Sequence, residues 1–157
     1  MMPFLNHWAA LFANQPVLRT TVDFFHIGGL VAAAGCALTA DLATISAATR
    51  TDDLRKAQLD VLKRTHPIVV TGLILLSVSG LMLFAADVST YLHSTVFWLK
   101  LGLIALLVVN GTLMLAAERR VARGHAASWR HLHKLAVMSL LLWGLTTLAG
   151  AALPNLA

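Results

Sequence analysis

Four of the seven histidines in this 157-residue chain form a pattern: His26 and His66 stand 40 residues apart, and so do His93 and His133. A single shift of 67 residues lays the first pair on the second, and it also lays Gly35 on Gly102, Lys56 on Arg123, Lys63 on Arg130, Val70 on Val137, Leu73 on Leu140 and Ser79 on Thr146. A neutral imidazole is a good ligand for a transition metal. Two such rings facing each other across packed helices suit the axial positions of haem iron. His131 lies two residues from His133, so the two point away from each other on a helix. Either could ligate, and the repeat selects His133. His7 and His125 have no repeat partner and read as surface residues.

Other residues could serve the same chemistry. Lys100 follows His93 by seven residues and so shares its helix face, about 10 Å deeper. There it would neutralise a haem propionate or another bound anion, or else extend back to the membrane surface. Asp41 could fix the free ring nitrogen of a ligating histidine, relay protons, or cap its helix. Gly28, Gly29, Ala32, Ala33 and Cys36 leave one face below His26 almost free of side chains. Gly80, Thr147 and Gly150 do the same at the outer ends of the even helices, and Ala37, Ala40, Thr44, Gly111 and Thr112 near the inner pair. Such positions make room for a macrocycle or serve as close-packing contacts between membrane helices. Asp23, Asp52, Asp53, Asp60, Asp87 and Glu118 read as solvated. Cys36 is the lone cysteine and reads as packing.

The elements that must position these residues are transmembrane helices. The chain is 58% hydrophobic and 12% charged. Four apolar stretches, 24–47, 67–86, 95–117 and 134–153, each approach the roughly 20 residues needed to cross a bilayer. Arg50, Arg55, Lys56, Lys63 and Arg64 cluster in the first connector, and Arg119, Arg120, Arg123, Arg130 and Lys134 cluster around the third. The second connector, Asp87 to Ser94, has neither Lys nor Arg. The positive-inside rule therefore places the first and third connectors in the cytoplasm and both termini on the outer side, periplasmic in a bacterial inner membrane. The net charge of +5 follows this topology and does not call for nucleic acid.

No charged start followed by a long apolar run marks a signal peptide. Instead Phe4, Leu5, Trp8, Leu11 and Phe12 recur at helical spacing between Pro3 and Pro16, which predicts a short helix on the outer membrane surface within residues 1–20. Residues 21–157 then form the transmembrane domain, an all-α, up-down-up-down four-helix bundle. An offset pairing first span with third and second with fourth relates helices of the same direction, so the bundle is two parallel two-helix repeats, about 24–86 and 91–153.

With His26 and His93 at one face and His66 and His133 at the other, residues 24–153 resemble the diheme core of the cytochrome b561 family. That resemblance implies two b-type haems and electron transfer across the bilayer, with a quinone or a redox protein among the expected partners. No ascorbate-site motif accompanies it, so no electron donor carries over. Phe97-Trp98-Leu99-Lys100-Leu101, followed by Asn110, also resembles the third helix of copper-resistance D type membrane proteins. This second resemblance implies a copper-handling or other metal-handling protein with an outer site of His26, His93 and Asp87. A non-catalytic membrane anchor is a third class. Oxidoreductase activity and pairing of two copies are left open by the residues alone.

Overall fold

The computed structural model describes residues 2–47, 51–125 and 128–156, and Arg50 of the first basic cluster lies outside them. The described residues form six helices and no strand: α1 (Met2–Asn14), α2 (Pro16–Ala47), α3 (Asp52–Ala86), α4 (Val88–His93), α5 (Thr95–Ala122) and α6 (Ser128–Leu156). Four of these, α2, α3, α5 and α6, are long and apolar enough to cross a membrane. The fold is thus an all-α bundle with four membrane-capable helices.

The helices outrun the expected spans. α2 and α3 have 32 and 35 residues, about 50 Å at 1.5 Å per residue, against a hydrocarbon core of about 30 Å. Pro16, expected near the end of the N-terminal helix, instead opens α2. Its fixed φ and missing N–H suit the first helical position. The basic residues from Arg55 to Arg64, expected in a polar joint, lie on the first half of α3. The second connector also holds a helix, α4, because the Asp87 side chain accepts from the Thr90 amide and caps it. Ser94 caps α5 in the same way through Phe97 N. α5 ends where Gly124 adopts a φ of 90° and donates its amide back to Val121 O at 2.9 Å, a left-handed stop that favours glycine.

Close packing joins α2 to α3, α5 to α6, and α2 to α6, while α3 and α5 lack it. The helices therefore stand in the order α3, α2, α6, α5, and the outermost two meet mainly at the stacked rings of Phe84 and Phe97, leaving a slit toward the other end. At the α2–α3 contact a Cβ on Gly72 would lie 2.8 Å from Ala33 Cβ, and one on Gly29 3.0 Å from Gly72 O. Glycine is required at both positions because the backbones touch.

Burial is inverted relative to a water-soluble bundle. Phe24, Ile27, Leu81, Leu99 and Leu148 are exposed, while Asp41, Thr44, Gln58, Ser79, Asn110, Ser139 and Thr146 are buried. With lipid outside, burying leucine gains little, and polar groups turn inward to find partners. Gln58 bonds Ala40 O and Thr44 Oγ1, both at 3.0 Å, to tie α3 to α2. Asn110 donates to Leu135 O at 3.1 Å to tie α5 to α6. α1 docks on α3 through Trp8 Nε1, which donates to Met82 O at 3.0 Å.

Candidate functional site

Two polar groups lie inside the bundle, one toward each end. The end that carries the α2–α3 and α5–α6 connections is termed inner.

At the outer end His26 of α2 is half-buried against α3. Its Nδ1 lies 2.9 Å from Ser79 Oγ, and Ser79 in turn donates to Leu75 O at 2.6 Å. With the one hydroxyl proton of Ser79 on that carbonyl, Nδ1–H is the donor that the 2.9 Å contact calls for. The proton on Nδ1 leaves the Nε2 lone pair available to a ligand. The ring lies over Gly80, where a Cβ would come within 3.4 Å of Cε1. Lys100 of α5, half-buried, takes a matching seat on α6, its Nζ 3.4 Å from where a Cβ of Gly150 would stand.

The repeat breaks at this level. Thr146, the equivalent of Ser79, is buried and its hydroxyl has no hydrogen-bond partner. His93, the equivalent of His26, is exposed at the last position of α4 and donates from Nδ1 to Ser89 O at 2.7 Å. The sequence places it at the outer start of the third span. Because α4 intervenes, His93 precedes the Ser94 cap of α5, and the structure does not seat it on Thr146 as His26 sits on Ser79. Lys100 takes the inward position instead.

The face of α2 below His26 is also not empty. The backbone of α3 at Gly72 fills the space beside Gly29 and Ala33, so these small residues serve helix packing.

At the inner end α3 and α5 enclose a cavity of about 230 Å³. Asp41 of α2, His66 of α3, Glu118 of α5, and Ser139 and Trp143 of α6 line it, with Val69, Leu73, Leu107 and Met114 among its apolar walls. Asp41 is 2% exposed. Its carboxylate accepts from Ser139, while Oδ2 has no hydrogen-bond partner. No Lys or Arg is among the lining residues. Glu118, expected in solvent, is half-buried here, because Met114 one turn earlier and Gly111 two turns earlier place it on the inward face of α5.

His133 is half-buried with Nδ1 lacking a partner, whereas His131 is exposed, the orientation the repeat selects. His66 lines the cavity, and His133 is not among its lining residues. Among the described residues no group of three or more His, Cys, Asp and Glu side chains is placed to hold a metal ion. The expected set of His26, His93 and Asp87 is not gathered, since Asp87 is engaged by Thr90 and Ser89.

No family model, no curated protein and no solved structure matches this chain. The sequence missed the cavity because its acids come from helices 77 residues apart, Asp41 to Glu118. The signal available was an inward-facing acid on each of two spans.

Proposed function

We propose that this chain is a b-type membrane cytochrome that passes electrons across the bilayer, with its haem at the outer group. The observation that carries this reading is the 2.9 Å contact of His26 Nδ1 with Ser79 Oγ, which with the Ser79 proton on Leu75 O leaves Nε2 for iron. Lys100 would supply a cation for a propionate, and the missing side chains of Gly80 and Gly150 make the room that the His26 ring and the Lys100 head take up. A haem bound there would supply one-electron chemistry, with His26 holding it through an imidazole nitrogen, Lys100 offering a counter-charge and the bundle a water-poor surrounding. Three of the four histidines selected by the repeat are half-buried, and His7, His125 and His131 are all exposed.

The inner group suits a second haem less well. Its cavity places two carboxylates and no Lys or Arg where a dianionic macrocycle would sit. The expected pair of haems therefore becomes one, and the resemblance to the cytochrome b561 family remains one of pattern. A quinone in the membrane or a redox protein at its surface is the expected exchange partner. The charge asymmetry of the connectors supports an inner-membrane location with both termini outside.

The test is the visible spectrum of protein purified after haem-supplemented expression, oxidised and then reduced with dithionite. Sharp b-type bands at about one haem per chain are expected, and they should disappear in His26→Ala. A colourless preparation would sink the proposal. Two haems per chain with His66→Ala removing one would restore the diheme arrangement.

A further inference from the structure

The inner cavity has a chemistry of its own. Asp41 on the cavity wall is 2% exposed, and its Oδ2 has no hydrogen-bond partner, an arrangement that costs free energy in a membrane unless something supplies a positive charge or a hydrogen-bond donor. Glu118 faces the same space from α5. The one other titratable group on the wall is His66; no Lys or Arg lines it, and Lys63 and Arg119 act on Glu118 from outside the wall. The remaining wall is apolar, with the indole of Trp143 as an aromatic surface that also favours a cation. The mouth lies between α3 and α5, which do not pack closely, and it is flanked by Val70 and Val108, 40% and 50% exposed toward the lipid.

We propose that this cavity binds a small lipophilic organic cation, an alkyl- or arylammonium, which enters from the bilayer between α3 and α5 with its charged head at Asp41 and Glu118. A volume of about 230 Å³ lies below the roughly 300–1,000 Å³ of sites for drug-sized ligands, so the guest is small. The apolar walls take its hydrocarbon part, and the two carboxylates set the sign of the charge. A metal ion is a poorer occupant, since no group of three ligating side chains converges among the described residues. This site does not depend on haem at the outer end.

The test is equilibrium binding of radiolabelled benzyltrimethylammonium to the full chain in lipid nanodiscs, with helicity checked by circular dichroism. Saturable binding near one per chain is expected. Asp41→Asn, which keeps the shape and the partner Ser139, should weaken it at least tenfold, and Glu118→Gln severalfold. Should Asp41→Asn fail to fold, Val108→Trp provides the second variant, because it closes the mouth from an exposed position and leaves both acids in place; it too should abolish binding. The uncharged isostere neopentylbenzene should compete poorly. Absence of saturable binding to the folded wild type, undiminished binding in Asp41→Asn or Val108→Trp, or displacement by neopentylbenzene as effective as by the unlabelled cation would each overturn the proposal.

Discussion

At the scale of single residues, hydrogen bonds decide which histidines are available. Ser79 engages Nδ1 of His26 and so ties the ring to α3, with Nε2 turned away from that contact. Replacing Ser79 with Ala should cost about 1 kcal/mol of stability, read as a lowered unfolding midpoint in detergent. Under the proposed haem ligation, it should also broaden the b-type bands without removing them. Asp87 offers a pH-dependent case outside the spans. Hydrogen bonds from Thr90, countered by slight burial and helped by Ser89, hold its carboxyl below the usual aspartate range. A depressed folded value means that the cap contributes fully above the ordinary aspartate range and is lost as pH falls through the lower folded value. Amide hydrogen exchange at Thr90 and Tyr91 should therefore accelerate selectively once the pH drops below that range. Asp87→Asn should flatten this dependence. Tyr91, pushed up by burial beside Phe84 and Phe97, stays neutral throughout and does not confuse the reading.

At the scale of helices, glycine shows where the sequence was ambiguous and how packing resolved it. Gly29 and Gly72 sit at a backbone contact with 2.8–3.0 Å to any added Cβ, whereas Gly35 and Gly102 have nothing within 4 Å. Gly72→Ala should destabilise the protein by about 1–3 kcal/mol through forced separation of α2 and α3. Gly35→Ala should be neutral or slightly stabilising through helix propensity. Thermal unfolding of both variants in one detergent checks the contrast, and equal effects would mean that the contact at Gly72 is not close. α4 is the other instructive element. Its capping residues were visible as Asp87 and Ser94, but the stretch reads as a polar joint because six residues are too few to show a period.

At the scale of the molecule, the slit between α3 and α5 gives the bundle one open side, and charge sets its orientation. Cysteine substitution offers a test of topology, since Cys36 is the sole native cysteine and is only partly exposed. A cysteine at Asn155 should react with an impermeant maleimide from the outer side, and one at Arg123 only after the membrane is opened. The reverse pattern would invert the assignment of inner and outer ends.

The sequence by itself determined the four membrane-capable helices and the all-α bundle. Span length, basic connectors and a fixed offset are local or periodic properties that survive without knowledge of packing. Tertiary structure decided what depends on distance between helices. It filled the face of α2 beside Gly29 with α3, and it left His93 on a helix of its own while Lys100 turned inward. It also brought Asp41 and Glu118 to one cavity. No periodicity records which two faces meet, because in lipid the choice rests on backbone fit and polar partners rather than on apolar area.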